Sequence, residues 1–371
     1  MSAVEYARKM KVAYTLTQCS HSVPGGSAVA ALELAAALRS TSTPTEIVAV
    51  GAARARSGEP AVLPEPSVSY RLPYPLLYEK WNRSDRGAVD RLVPDADVVH
   101  LTLALCPAKN RLPQICTVHD MFPFTHPETL TTRGAKVLQA GLTRVLERAD
   151  LIATPSQASA DEIVAHGGDR SRIRVVPWGA TPEQFSETDL EQIRRRHQLP
   201  DRFVMFAGTV EPRKNLDLLL QAMELTEDSV HLVLVGPSGW GEVSTRVPGM
   251  AAERIHVLGS LERRDLLGAM TMASAVCMPS HAEGFGLPAL EAMAQGTPVI
   301  HSNTPALREV VGDAGPSLAT DDVAGWASEM SAYIFNEEGA EELGTVALQR
   351  ALPSTWERTA TIMRSVYEEL T

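Results

Sequence analysis

Two carboxylates, Glu283 and Glu291, stand eight positions apart and flank the run Gly-Phe-Gly-Leu-Pro-Ala-Leu. The apolar run Ala275-Val-Cys-Met278, followed by Pro279, reads as the end of a buried strand. Pro288 suits the first position of a helix and Gly296 its C-terminal stop. The backbone N–H groups of Gly284, Phe285, Gly286 and Leu287 are therefore predicted at a helix N-terminus, where an anion binds well. Gly284 and Gly286 carry no side chain that would hold a bulky phosphate away. Glu283 precedes the turn and Glu291 falls about one helical turn in. One carboxylate could then hold sugar hydroxyls and the other a ribose, with a diphosphate over the amides. The plainer alternative is a glutamate that favours a helix dipole, beside an ordinary Gly-x-Gly turn.

A second group lies in Gly208-Thr-Val-Glu-Pro-Arg-Lys-Asn-Leu216, after the predicted strand Phe203–Ala207. Asn215 is expected to cap the next helix. Arg213 and Lys214 stand just before it, where two cations suit a diphosphate and Arg can bind two oxygens at once. Alone, such a pair is often only solvated. His119-Asp120 ends the strand Gln114–Val118 and runs on to His126. Gly25-Gly26 follow the first strand at the start of a helix, without the Gly-x-Gly-x-x-Gly dinucleotide pattern. Gly236 and the pair Leu258-Gly259 end two further strands. Asp95-Ala-Asp97 has the Asp-x-Asp metal spacing but precedes its strand, so it is rejected as a metal site.

Taken in order, these segments resemble the retaining glycosyltransferases of the two-domain GT-B fold, most of all the large family four with its many bacterial mannosyl- and glucosyltransferases. The matching strings are Gly-Gly, His-Asp, EPRKNL and Glu-x7-Glu. The resemblance implies transfer of a hexose from a nucleotide-diphosphate sugar to a hydroxyl of a glycan, a lipid-linked sugar or a small molecule. It implies retained anomeric configuration, no bound metal, and no cofactor beyond the nucleotide sugar as co-substrate. In it Arg213, Lys214 and the Phe285–Leu287 amides face the diphosphate. Glu283 positions the sugar, Glu291 binds ribose, and His119 lies near the transferred sugar. Asp120 orients the loop or the acceptor. Gly25 and Gly26 face donor phosphates or acceptor, and Gly208, Gly236, Leu258 and Gly259 line the donor pocket. EPRKNL with a VHDxxPxxHPE-like segment points to GDP-mannose, with UDP-glucose or another UDP-hexose as the alternative. Two further readings are an epimerase of the same fold and a non-catalytic sugar-nucleotide-binding protein.

These residues need a scaffold that brings loops together. The 371 residues allow two domains of ordinary size, and 44% apolar with 21% charged residues fits a globular protein. Short β-rich runs alternate with helical ones in both halves, which predicts an α/β chain of two doubly wound Rossmann-like domains facing a cleft. The expected division is 1–180 on the acceptor side and 181–354 for the donor, with the terminal helix 355–371 crossing back to the first. Residues 179–201 are read as the link. Residues 58–83, with five prolines and the aromatics Tyr70, Tyr74, Tyr78 and Trp81, read as a long loop. Its aromatics either pack on the domain or, over residues 70–83, meet the acceptor or a membrane surface.

Net charge excludes bulk nucleic-acid binding: the chain carries −11 overall. Residues 1–175 hold 20 Lys/Arg against 17 Asp/Glu, and the rest 14 against 28, so local cations must serve any phosphate in the acidic half. No apolar run nears the roughly 18 residues of a membrane span. The start of the chain has no signal-peptide pattern, so a cytoplasmic protein is expected. Cys19, Cys106, Cys116 and Cys277 show no CxxC spacing, and neither disulfide nor zinc is expected.

Overall fold

A computed structural model describes residues 9–21, 25–53, 63–84, 86–105, 111–239 and 253–371. The chain forms two compact units. The first takes the described residues of Met1–Thr125, Thr132–Trp178 and Trp356–Thr371, and the second His126–Thr131 and Gly179–Thr355.

The first unit is built on the strands β1 (Lys11–Thr15), β2 (Glu46–Ala53), β3 (Ser67–Pro73), β4 (Val98–Leu101), β5 (Gln114–Thr117), β6 (Leu151–Thr154) and β7 (Ile173–Val175). They pair in the order β3-β2-β1-β4-β5-β6-β7, every neighbour parallel. Its helices are α1 (Gly26–Ser40), α2 (Tyr74–Arg83), the short α3 (Phe122–Thr125), α4 (Thr132–Arg148) and α5 (Gln157–Ala165). Strands β4, β5 and β6 are buried at every position, as a parallel sheet covered on both faces requires.

The second unit opens with α6 (Glu187–His197) and continues β8 (Val204–Ala207), α7 (Leu216–Met223), β9 (Leu232–Val235), β10 (Ile255–Gly259), α8 (Arg263–Met272), β11 (Ala275–Met278), α9 (Leu287–Ala294), β12 (Val299–Ser302), α10 (Pro305–Val311), β13 (Ser317–Leu318), α11 (Val323–Phe335) and α12 (Glu337–Ala351). Its sheet is parallel throughout, in the order β10-β9-β8-β11-β12-β13. Phe206, Leu219, Trp326 and Met330 sit in its core. The final helix α13 (Trp356–Glu368) belongs to the first unit. Its Tyr367 hydroxyl lies 2.6 Å from Nδ1 of the buried His100, and Arg364 Nη1 donates to the Thr43 carbonyl at 2.9 Å.

Two stretches differ from the sequence reading. The linker 179–201 contains α6, whose Ser186 and Asp189 form a reciprocal capping box. Its lone buried residue is Ile193, so its strongly polar composition hid it. The proline-rich stretch is not a loop over its described part, because it holds β3 and α2; residues 54–62 lie outside the described residues. The prolines punctuate these elements: β3 is an edge strand ending at Pro73, and Pro75 stands in the first turn of α2. Tyr78 and Trp81 are buried there, and Tyr70 Oη and Trp81 Nε1 both donate to the Gly87 carbonyl.

Asp95 and Asp97 serve the fold. Asp97 accepts from the Lys11 backbone at 2.8 Å, and Asp95 from Lys11 Nζ at 2.7 Å. Cys116 and Cys277 are buried and Cys19 half-buried, all three thiols outside any disulfide, while Cys106 lies outside the described residues. Among the described residues no helix is long and apolar enough to cross a membrane.

Candidate active site

In the second sheet the strand order reverses direction between β8 and β11. The loops leaving the carboxyl ends of two such strands part there and open a crevice where α/β sheets bind ligands. Those two loops carry Gly208–Asn215 and Pro279–Gly286. They are tied together, because the His281 N–H donates to the Arg213 carbonyl at 2.9 Å. Asn215 occupies the N-cap position of α7, as expected, but its side chain makes no capping bond. It adopts a left-handed φ of 54°, and its Nδ2 donates to the carbonyls of Pro279 and Thr320 at 3.1 and 2.9 Å.

Between the loops sits a compact charge cluster. Lys214 Nζ donates to Glu283 Oε1 at 2.6 Å, and Ser280 Oγ donates to the same oxygen at 2.6 Å. Arg213 Nη1 donates to Glu283 Oε2 at 3.1 Å and to the Ala282 carbonyl at 2.9 Å, while its Nη2 donates to Glu211. Glu211 and Lys214 are buried, and the Glu283 side chain is nearly so. Burial alone would push the Glu283 carboxyl up. The Lys214 and Arg213 charges, with the Lys214 and Ser280 hydrogen bonds, outweigh it and hold the group down at about 2. Burial pulls the Lys214 ammonium below its ordinary value, opposed chiefly by Glu283.

Next to the cluster, α9 starts at Leu287, with Pro288 second and Gly286 in the capping position. Gly286 has φ +99°, a left-handed conformation that favours glycine, and a Cβ there would lie 2.5 Å from the tip of the Leu307 side chain, which would have to shift. First-turn N–H groups have no acceptor within their own helix. On the other side, Gly208, Gly236 and Gly259 meet at the ends of β8, β9 and β10. The Gly236 N–H donates to the Gly259 carbonyl at 2.8 Å, and a Cβ on Gly236 would come within 1.9 Å of the Gly208 carbonyl oxygen. Leu258 sits at a bulge in β10. Glu291, on α9, is buried and accepts from Arg263 Nη1 at 2.6 Å.

His119 and the Gly25-Gly26 pair lie in the first unit. His119 follows β5, its ring against Trp178 with centroids 5.3 Å apart. Nε2 lies 2.9 Å from the Thr102 carbonyl and donates to it, Nδ1 is shielded, and the residue lines a cavity of about 20 Å³ with Thr154, Tyr14 and Trp178. Burial lowers the imidazole to about 4, against the Thr102 bond, so near neutrality it is uncharged with its one proton on Nε2. The Thr102 carbonyl accepts that proton. Asp120 accepts from the Phe122 N–H at 3.2 Å and so orients the loop. His126 Nδ1 lies 3.2 Å from Glu128 in the second unit. Gly25 caps α1 and Gly26 begins it, and a Cβ on either would meet nothing within 4 Å. The structure thus brings Gly208, Arg213, Lys214 and Glu283 together at the strand ends where the order reverses, with Phe285, Gly286 and Leu287 following Glu283 into the start of α9. Sequence reading missed Glu211, Ser280 and Arg263. Glu211 stood in view inside EPRKN, whereas nothing in the local sequence marked Arg263.

The family described as Glycosyltransferase Family 4 matches residues 24–184, and that described as Glycosyl transferases group 1 matches residues 189–347. O-antigen chain mannosyltransferase B of Escherichia coli is 31% identical over 270 residues, covering 69% of this chain and 70% of that protein. A D-inositol 3-phosphate glycosyltransferase of Xylanimonas cellulosilytica is 31% identical over 62% of this chain and 60% of its own length. Among solved structures, sucrose-phosphate synthase of Thermosynechococcus elongatus superposes with a TM-score of 0.78 at 18% identity, over 98% of this chain and 99% of that one. Anabaena HepE, solved with UDP and glucose, gives 0.73 at 19% over 97% and 99%. Both superpositions carry the GT-B fold across the two parallel-sheet units. With the mannosyltransferase match spanning more than two thirds of both chains, this protein belongs to the family 4 glycosyltransferases and is a transferase enzyme.

Proposed function

We propose that the chain transfers a hexose from a nucleotide-diphosphate sugar to an acceptor hydroxyl of a glycan, lipid-linked sugar or small molecule, with retained anomeric configuration and without a resident cofactor or metal. One observation carries the reading: Arg213 and Lys214 are held against Glu283 at the switch point of the second sheet, beside the start of α9. The preferred donor is GDP-mannose. Its support is the likeness to an O-antigen mannosyltransferase together with the EPRKNL string. A UDP-hexose is the second reading, favoured by no residue of this chain over the first.

In the reaction the bond between the anomeric carbon and the β-phosphate oxygen breaks, and its electron pair stays on the phosphate. Arg213, Lys214 and the Phe285–Leu287 amides stabilise that charge as it grows, in a site whose dipoles are already oriented. Lys214 has three N–H donors, of which Glu283 takes one. A carboxylate has about four acceptor sites, and three of those on Glu283 are filled by Lys214, Ser280 and Arg213. The remaining site on Oε2 receives a sugar hydroxyl. Because the Lys214 and Arg213 charges hold its carboxyl well below the usual range, Glu283 stays charged and supports an oxocarbenium-like centre. The acceptor oxygen bonds the anomeric carbon on the face the phosphate leaves, and its proton passes to a leaving phosphate oxygen. Glu291 binds ribose hydroxyls. His119, uncharged and fastened to Thr102, shapes the wall of its unit and supplies no proton.

Calorimetry with GDP, UDP, GDP-mannose and UDP-glucose tests this. Selective binding of the guanosine pair is expected. Selective binding of the uridine pair would replace the donor, and binding without any transfer or donor hydrolysis would support a non-catalytic sugar-nucleotide-binding protein. The anomeric proton coupling of the product reads retention.

A further inference from the structure

Three side chains donate to the Glu283 carboxylate, and they differ in kind. Lys214 Nζ and Arg213 Nη1 are cationic donors, at 2.6 and 3.1 Å, whereas Ser280 Oγ is neutral, at 2.6 Å. Lys214 and Ser280 share Oε1, and Arg213 takes Oε2. A serine hydroxyl has one proton to give, and Ser280 gives it here. The residue is fully buried, so no bulk water competes for that proton.

The backbone that carries Ser280 is pinned at three successive residues. The Pro279 carbonyl accepts from Asn215 Nδ2 at 3.1 Å, and the His281 N–H donates to the Arg213 carbonyl at 2.9 Å. Between them the Ser280 carbonyl accepts from Ser302 Oγ at 2.6 Å. Ser302 is buried at the end of β12, the strand that pairs with β11. The segment is thus tied to the Gly208–Asn215 loop on both sides of Ser280 and to β12 at Ser280 itself. These ties use backbone groups and side chains other than the two cations' charged ends.

A donor diphosphate changes the balance at Glu283. It competes with the carboxylate for Lys214 and Arg213, and it repels the carboxylate, both strongly in a site shielded from water. A neutral hydroxyl on a fixed backbone is not drawn toward the phosphate as a cation is. We propose that Ser280 is a positioning residue for Glu283, a neutral tether that keeps the carboxylate at the sugar while Lys214 and Arg213 turn to the diphosphate. This role rests on the reading of Glu283 and the two cations as the donor site. It divides the three bonds by state: the cations hold Glu283 in the empty site, and Ser280 holds it in the occupied one.

The test compares wild type with Ser280→Ala in the intact protein, by hydrolysis of GDP-mannose and UDP-glucose and by calorimetry with GDP and UDP. In the variant, kcat for the accepted donor should fall about tenfold, the scale of one hydrogen bond to a charged group. The Kd of the matching nucleoside diphosphate should stay within twofold. Ser280→Cys keeps the size and a weak donor, and should retain part of the rate. Crystal structures of Ser280→Ala separate a tether from a merely structural residue. Without ligand, Glu283 should remain on Lys214 and Arg213; with the nucleoside diphosphate bound, it should leave its wild-type place. A wild-type rate, a Kd that worsens in step with kcat, or the same Glu283 position in both structures overturns the tether while the nucleotide site stands. Wild type that binds no nucleoside diphosphate, or hydrolyses neither donor, ends the reading of the site and this role with it, before any variant is compared. Should Ser280→Ala not fold by circular dichroism, Ser280→Cys takes its place in every measurement, and a full rate with Glu283 unmoved overturns the tether.

Discussion

At the scale of single residues, the site works through pairing. Arg213, Lys214, Glu211 and Glu283 bring two positive and two negative charges into one buried group, so no member is isolated in low dielectric. Glu283→Gln keeps the shape and removes the charge. We expect kcat to fall about 100-fold, on the scale of lost transition-state stabilisation, with the nucleoside-diphosphate Kd within threefold. Steady-state kinetics paired with calorimetry checks this, and unchanged kcat would end the sugar-positioning role. Lys214→Met breaks a pair whose partners are both buried. It should cost about 3 kcal/mol in urea unfolding, as well as diphosphate affinity. A stability loss with nucleotide binding intact would make the lysine structural only. The two acids flanking the glycine turn and the adjacent cations were legible because the chemistry demands those residue types close together in the chain. Arg263 was not, because its partner lies 28 positions away and only the packing of α8 on α9 brings them together.

At the scale of elements, the two loops at the switch point and the start of α9 make the crevice. Gly286 holds a φ that other residues adopt only under strain, and Leu307 fills the space a side chain would need. Gly286→Ala should therefore cost about 1–3 kcal/mol and weaken diphosphate binding together. By contrast, Ser186→Ala removes the cap of α6 and should cost about 1 kcal/mol while leaving nucleotide affinity unchanged. Urea titration and calorimetry on both variants separate the two cases, and equal loss of affinity would mean α6 also shapes the site. Strands β5, β8 and β11 were readable from their apolar runs, and the starts of α7 and α9 from Asn215 and Pro288. Helices α2 and α6 were not. In α2 the prolines that bound elements looked like a loop, and in α6 a single buried position leaves almost no periodic signal.

At the scale of the whole molecule, acid should destabilise the fold. Burial lowers His21 and His119 to about 4 and His100 to about 3, against an unfolded value of 6.5. Between those values the unfolded chain binds more protons, so stability falls as pH falls. Each histidine contributes up to about 1.4 kcal/mol per pH unit in that window. Glu283, depressed from 4.5 to about 2, adds a loss of the same sign below pH 4.5. Urea midpoints should hold steady above pH 6.5 and decline steadily through pH 6 and 5. A flat profile from 7.5 to 5 would mean these histidines are charged or solvated in the folded protein.

What the sequence determined alone was the chemistry on offer and the α/β plan. Glycines at strand ends, a basic pair before a helix and the spaced carboxylates follow from local rules of backbone freedom, charge and period. Tertiary structure decided the partners. It drew Lys214 and Arg213 onto Glu283 rather than into open solvent, turned Asn215 into a strut between loops, and spent the His119 proton on Thr102. It also set Arg263 on Glu291. Those outcomes depend on which strands lie side by side and which helices pack, and neighbours in a parallel sheet are set by long-range burial that no local pattern encodes.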